Sequence, residues 1–247
     1  MRLDSFAITT TGRRSNNEDA VCTRPDLGLF VVADGMGGYE GGEIASRLAV
    51  TTIEDLVART AGADNVTWPF RVDPHRTSRE NEVAVATRFA GERIAHGRHG
   101  RLAQMGSTVV VLRLDGAGAI VGHVGDSRVY RRRAGVLEQL TVDHSLWAEL
   151  VASGTDPSRW DDFPYKNVVT RALGTTTSEP EVRRLDVAAG DTFLLCSDGL
   201  TEGLDAAHIL AHLAQPAEPA CRALVDAAYA AGSHDNISAI VVRVMAL

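Results

Sequence analysis

The sequence predicts an α+β fold built on antiparallel sheets. Strand-like apolar runs come in groups, separated by pairs of helical patterns instead of alternating with them. Short turns carrying glycine and aspartate, such as Asp115-Gly116 and Gly125-Asp126-Ser127, join the runs within a group. No repeat of the solenoid kind appears. Nothing marks a boundary, so residues 1–247 read as one domain.

Residues 5–11 read as an edge strand broken by Gly12, and the polar turn 13–20 by itself reads as a solvated loop. A short strand begins at Val21, and Pro25-Asp26 turns the chain into a strand over 29–33, so the first three strands are expected to be antiparallel neighbours. Leu29 to Ala33 form a continuous apolar run, too short for a helix, which stops at Asp34. From Gly42 onward, Ile44, Ala45, Leu48, Ala49, Ile53, Leu56 and Val57 recur at helical spacing and predict a helix over 42–58. The stretch 59–78, with Gly62, Asp64, Asn65, Pro69 and Pro74, reads as a loop pinned by Trp68 and Phe70. A second helix covers 79–95, with Val83, Ala86, Phe89, Ala90 and Ile94 on one face. Strands over 107–114, 119–124 and 128–133 follow, and the arginines 131–133 read as a solvated strand end. Thr141-Val142-Asp143-His144 reads as a helix start with Leu146, Leu150 and Val151 as the apolar face, and 154–166 reads as a mobile surface segment. The rest is strands over 181–187 and 191–197 about a Gly190 turn, helices over 205–214 and 217–231, and a last strand over 237–244.

With 45% hydrophobic and 23% charged residues the composition is that of an ordinary globular domain. A formal net charge of −7 argues against a nucleic-acid backbone as the main partner. Cys22, Cys196 and Cys221 are odd in number and lack C-x-x-C spacing, as expected of a reduced, cytoplasmic protein. The N-terminus lacks the apolar core of a signal peptide, and no apolar run approaches the length of a membrane span.

The chain turns on the stretch from Leu29 to Glu43. Asp34 sits where the buried run meets Gly35, Gly37, Gly38, Gly41 and Gly42. Glycines let backbone approach a ligand closely, and carboxylate, carbonyl and water are the ligands a hard cation needs. A turn-capping role for Asp34 fits the stretch equally well. Neither G-x-G-x-x-G nor G-x-x-x-x-G-K-[ST] can be laid on it. Asp126, Asp198 and Asp235 also read as strand-end acids in tight turns, and Glu18 and Asp19 share one more. Acids gathered at one edge would repel one another unless a cation neutralised them. His208 and His212 stand at i, i+4, but with no glutamate beside His208 and no third ligand they read as surface or packing residues.

Seven segments carry a resemblance: Arg14-x-x-Asn17-Glu18-Asp19, Val32-Ala33-Asp34-Gly35-Met36-Gly37-Gly38, Gly106-Ser107-Thr108, Gly125-Asp126-Ser127-Arg128, Thr170-Arg171-Ala172-Leu173-Gly174, Ser197-Asp198-Gly199-Leu200 and Asp235-Asn236-Ile237-Ser238. In that order, over nearly the whole chain, they resemble the metal-dependent serine/threonine protein phosphatases, the PPM or type 2C family, in its compact bacterial form. The resemblance implies a four-layer α-β-β-α sandwich, two central antiparallel sheets flanked by helices. It implies two tightly bound Mn²⁺ or Mg²⁺ ions and a third, weaker one. Asp34 would bridge the two metals, Gly35 would give its carbonyl to one, and Asp198 and Asp235 would bind the other. Glu18 and Asp19 would hold metal-bound waters, and Asp126 would share the third metal with Asp198. Arg14 would clamp the substrate phosphate, and residues 154–167 would form a flap beside the site. Asn236 and His234 would support the ligands. The chemistry the resemblance implies is that two cations held by these acids would lower the pKa of a water to near neutral and so supply a nucleophile for in-line attack on phosphorus. One departure is Met36, where some relatives carry a histidine assigned as general acid; methionine gives no proton.

The implied function is hydrolysis of phosphoserine and phosphothreonine in proteins, with phosphoproteins and a bacterial Ser/Thr kinase as partners and a monomer as the expected state. Two other readings compete. A regulatory phosphoprotein-binding domain is disfavoured by the intact acid set. A phosphodiesterase or nuclease is disfavoured by the charge and the lack of basic residues interleaved with aromatics.

Overall fold

The computed structural model describes residues 1–38, 41–62, 66–116, 118–160, 162–176 and 178–247. Tyr39 and Glu40 of the glycine-rich stretch, Asp64 and Asn65 of the 59–78 loop, and Asp161 of the 154–166 segment lie outside the described residues.

Side chains alternate across a strand, and in β3 (Leu29–Met36) both faces are buried. Leu29, Val31 and Ala33 join one apolar cluster, Phe30 and Val32 another. Burial on both sides explains why the run is continuously apolar. This strand pairs with β2 (Asp19–Arg24) and β5 (Val109–Asp115), and β6 (Gly118–Val124) and β9 (Glu181–Leu185) extend the sheet in the order β2-β3-β5-β6-β9. The two-residue β4 (Gly106–Ser107) pairs with the end of β3. A second sheet joins β1 (Arg2–Thr10), β7 (Arg128–Arg133), β8 (Val136–Gln139), β10 (Thr192–Cys196) and β11 (Ile237–Ala246) in the order β1-β11-β10-β7-β8. Among the described residues every strand pairing is antiparallel.

The sheets meet face to face, with Phe30, Val32, Val110 and Leu112 packed against Phe193, Leu195, Ile240 and Val242. Outside the first sheet lie α1 (Gly41–Thr60) and α2 (Ser78–Gly97), which press Ala49, Ile53, Val83 and Ala90 onto Val31 and Val111. A capping box starts α2: Thr77 Oγ1 accepts from Glu80 N at 3.3 Å, and Glu80 Oε2 accepts from Thr77 N at 2.8 Å. Outside the second sheet lie α4 (Asp198–Gly203), α5 (Ala206–His212) and α6 (Ala217–Ala230), whose Cys221 and Leu224 cover Leu194 and Val241. The result is the four-layer α-β-β-α sandwich the resemblance implied. Phe30 and Phe193 are fully buried at its centre, where truncation to alanine costs about 3–5 kcal/mol.

Several local expectations differ from what is observed. The first strand begins at Arg2 and pairs with β11, in the sheet opposite β2 and β3. Turn spacing carries no information on which sheet a strand joins. The strands expected about Gly190 likewise divide between the two sheets. Helix α3 (Leu146–Ala152) starts at Ser145, whose Oγ accepts from Ala148 N at 3.2 Å, and not at Thr141. Thr141 is buried in the preceding loop, its hydroxyl accepting from Val129 N at 3.2 Å. Sequence reading missed β8, a short edge strand with no apolar run, α4, hidden behind the Asp198-Gly199 turn signal, and short 3-10 turns at Gly100–Leu102 and Pro157–Trp160.

Candidate metal centre

Strand register and sheet-to-sheet crossings gather the predicted acids. Asp34 lies inside β3, two residues before its end and not in a turn, as register partner of Asp19, the first residue of β2. Its backbone is clamped: its N–H donates to Thr108 Oγ1 at 3.2 Å, and its carbonyl accepts from Thr108 N at 2.8 Å and Ser107 Oγ at 2.9 Å. Across the sandwich β10 runs into Asp198, the first residue of α4, and Asp235 precedes β11. Ser197 and Ser238 tie those strand ends together, with Ser197 N donating to Ser238 O at 3.1 Å and Ser238 N to Ser197 Oγ at 3.0 Å. Both hydroxyls then donate across the sheets to Asp19 Oδ2, at 2.8 and 2.6 Å. Asp126 occupies the turn by which the chain passes from β6 in one sheet to β7 in the other.

The glycines permit close backbone approach. A Cβ on Gly35 would overlap the carbonyl of Gly42, and one on Gly42 would overlap the Glu18 carboxylate. Glu18 is held by its own backbone, its N–H donating to Asn236 Oδ1 at 2.9 Å and its carbonyl accepting from Gly35 N at 3.1 Å. The Asn236 amide in turn donates to Thr11 O at 3.0 Å and Asn16 O at 2.8 Å, so the loop before β2 and the start of β11 are one unit.

The electrostatics of the cluster favour a bound positive charge. Burial, with Asp19, Asp198, Asp126 and Asp235 nearby, holds the Asp34 carboxyl well above the usual carboxylate range. Burial likewise pushes Asp19 to about 7 against the bonds from Ser238 and Ser197. Asp126 rises to about 7 through burial and the charges of Asp198 and Asp143. Asp198 rises to about 6 through burial and Asp235, offset by a hydrogen bond shared with Asp34. The Oδ1 of Asp198 is buried and has no hydrogen-bond donor among the described residues. An all-oxygen set of crowded acids, one oxygen of it unpartnered, fits hard divalent cations.

Asp126, Asp198 and Asp235 line a cleft of about 940 Å³ together with Arg14, His234, Trp160 and Phe163, whereas Glu18, Asp19 and Asp34 are not among its described lining residues. Arg14 Nη2 lies 2.7 Å from Asp235 Oδ2, with its side chain 58% exposed. Arg13 turns away, donating to Tyr229 O at 3.2 Å with its guanidinium over the Tyr229 ring. Met36 pairs with Gly106 and is not among the cleft-lining residues described. His208 Nδ1 is engaged with Asp205 at 2.7 Å, a surface contact. Sequence reading gave no role to the hydroxyls of Thr108, Ser197 and Ser238 or to Glu202, which accepts from Ser233 Oγ at 3.1 Å and His234 N at 3.0 Å. The signal for the hydroxyls was adjacency, since each stands inside one of the seven segments.

A family model for protein phosphatase 2C matches residues 11–233. The serine/threonine protein phosphatase PstP of Mycobacterium tuberculosis is 33% identical over 235 residues, 94% of this chain but 43% of PstP, so the chain spans less than half of that relative's length. Protein phosphatase PhpP of Streptococcus pneumoniae is 32% identical over 250 residues, covering 97% of both chains. The solved catalytic domain of PstP, in complex with two manganese ions, superposes with a TM-score of 0.84 at 30% identity over 99% of each chain. Among the described residues no helix is long and apolar enough to cross a membrane. With the sandwich, the converging acids and these relatives all of one kind, the chain belongs to the protein phosphatase 2C family, the metal-dependent protein-serine/threonine phosphatases.

Proposed function

We propose that this chain hydrolyses phosphoserine and phosphothreonine in proteins at the acid cluster, opposing a bacterial Ser/Thr kinase. The observation that carries the reading is the convergence of Asp19, Asp34, Asp126 and Asp198, each with its carboxyl raised by burial and by its neighbours. Asp34, the Gly35 carbonyl, Asp198 and Asp235 would hold two Mn²⁺ or Mg²⁺ ions, and Asp126 with Asp198 a third. When bound, such ions supply a water of lowered pKa and neutralise phosphoryl charge.

The chain's own groups do the rest. Glu18 and Asp19 are outer acceptors; the two serine donors on Asp19 Oδ2 leave its other oxygen for the site. Arg14 offers a planar fork to two phosphate oxygens and lines the cleft beside Asp235. With Met36 unable to give a proton, the leaving alkoxide would take one from water at the site or from His234, the one imidazole among the described lining residues, and a good leaving group would need none. We infer further that residues 1–247 act as one phosphatase domain, as a monomer in the cytoplasm. The test is turnover of an aryl phosphate and a phosphothreonine peptide by the purified chain, before and after chelation and with Asp198→Asn. Activity is expected only with Mn²⁺ or Mg²⁺ and should be largely absent from the variant; full activity after exhaustive chelation overturns the reading.

A further inference from the structure

Outside the acid cluster, two buried histidines beside a half-exposed glutamate are unexplained by the chemistry above. The ligand-capable atoms of His123, His144 and Glu181 fall within 4.8 Å of one another, a spacing that invites a metal. The geometry refuses it. The two imidazoles are stacked, with centroids 4.5 Å apart and planes 19° from parallel. Imidazole lone pairs lie in the ring plane, so those of near-parallel stacked rings do not meet at a common ion. The positive charge there is already supplied by Arg171, whose Nη1 stands 2.9 Å from Glu181 Oε1.

His144 makes different and more telling contacts. Its ring Nδ1 accepts from Gly125 N at 3.1 Å, and its own N–H donates to Gly125 O at 2.9 Å. Both backbone groups of the residue before Asp126 are thus held by one histidine. With Nδ1 an acceptor, Nε2 carries the proton and donates to Glu181 Oε1 at 3.1 Å, which sets the ring's orientation. The His144 carbonyl accepts from Thr170 N at 2.8 Å; next to it Leu146 N donates to Val168 O at 2.9 Å, and Ser145 bridges to Val169. His144 therefore stands where the Asp126 turn meets both ends of the segment that carries the aromatic side of the cleft. The turn needs holding: Gly125 has φ +103, a conformation glycine enters and leaves at little cost.

We propose that His144 is a positioning residue for phosphatase turnover, fixing the Asp126 turn and joining it to the base of the 146–169 segment. This rests on the reading of Asp126 as ligand of the third, weaker cation. The chemistry of the contacts separates His144→Asn from His144→Gln. Asparagine places an amide oxygen where Nδ1 stands and still accepts from Gly125 N. Glutamine reaches instead toward Glu181 and leaves that N–H unsatisfied.

The experiment titrates Mn²⁺ calorimetrically beyond two equivalents into each variant of residues 1–247 and measures kcat and KM on a phosphothreonine peptide. Binding of the first two equivalents and a cooperative thermal melt serve as the folding control. His144→Gln should weaken the third-cation affinity by about tenfold, the order that a lost hydrogen bond and a stranded buried donor give, and lower kcat in step. His144→Asn should stay within about threefold of the parent. Glu181→Ala, at a half-exposed strand position where folding is not at stake, frees the ring and should weaken the third cation by about threefold. Asp126→Ala is the reference. If it leaves third-cation binding and peptide turnover intact, the third-cation reading fails and takes the proposal with it. If Asp126→Ala abolishes that binding while His144→Gln and Glu181→Ala bind as the parent does, the reading stands and the positioning role is overturned. Equal losses in His144→Asn and His144→Gln overturn it too, because a purely packing role predicts no rescue.

Discussion

Asp19→Asn should stabilise the cation-free protein at neutral pH. The Asp19 carboxyl is pushed from 3.8 to about 7, chiefly by burial, against the bonds from Ser238 and Ser197. An acid whose folded pKa is raised keeps a proton that the unfolded chain releases. Its contribution to stability is therefore full below 3.8 and is lost as pH rises to about 7. The slope is 1.36 kcal/mol per pH unit well below the folded pKa and half of that at it, so moving from pH 5 to pH 7 removes about 2.3 kcal/mol, or roughly 5–10 °C of Tm for a chain of this size. Asparagine has no proton to lose, and its amide oxygen can still accept from both serines. In chelator, the Tm of Asp19→Asn minus that of the parent should accordingly rise by roughly 5–10 °C between pH 5 and pH 7. His123 and His144, lowered by burial, slope the other way in both proteins and cancel from the difference, whereas Asp34, raised in part by the Asp19 charge, is relieved in the variant and adds to the rise. Saturating Mn²⁺ should reverse the order at pH 7, since the parent gains more from a cation that relieves its carboxylates. Scanning fluorimetry of both proteins at the two pH values, with and without Mn²⁺, is the assay. A Tm difference in chelator that is flat or falling with pH refutes the claim that Asp19 is held protonated by its burial.

Arg14→Ala should lower kcat/KM on a phosphopeptide by about 10- to 150-fold, the loss of one charge-assisted hydrogen bond, whereas Arg13→Ala, held on Tyr229, should change little; equal small losses, or a loss traced wholly to weaker metal affinity, would remove Arg14 from the phosphate. Met36→His should leave the acidic limb of the pH–rate profile unchanged for both an aryl phosphate and a phosphothreonine peptide, because Met36 packs beside Gly106; a shift confined to the peptide would place position 36 at the leaving group. Gly35→Ala should destabilise the protein by more than about 3 kcal/mol in a denaturant titration, because its Cβ would collide with the backbone of Gly42 and not with a yielding side chain; a parent-like midpoint would mean that the Gly35–Gly42 approach is not as close as described.

What the sequence determined by itself was whatever a local pattern can carry. Leu29 to Ala33 and Phe193 to Cys196 announced themselves as buried strands because both of their faces pack, which demands an unbroken apolar run. The helices over α1 and α6 were legible because one face of each meets a sheet. The acids Asp34, Asp126, Asp198 and Asp235 stood out beside glycines and strand ends, and their motif order pointed to the family. Only the tertiary structure decided which sheet each strand joins, since a turn of given length serves a hairpin and a crossing between sheets alike. It also decided that Asp34 lies within a strand, that Asp19 is held by two serines from the opposite sheet, and that His144 grips the turn before Asp126. Those contacts join residues 178, 219 and 19 positions apart. No local period encodes such separations; packing two sheets face to face does, because it brings strand ends from both halves of the chain to one edge.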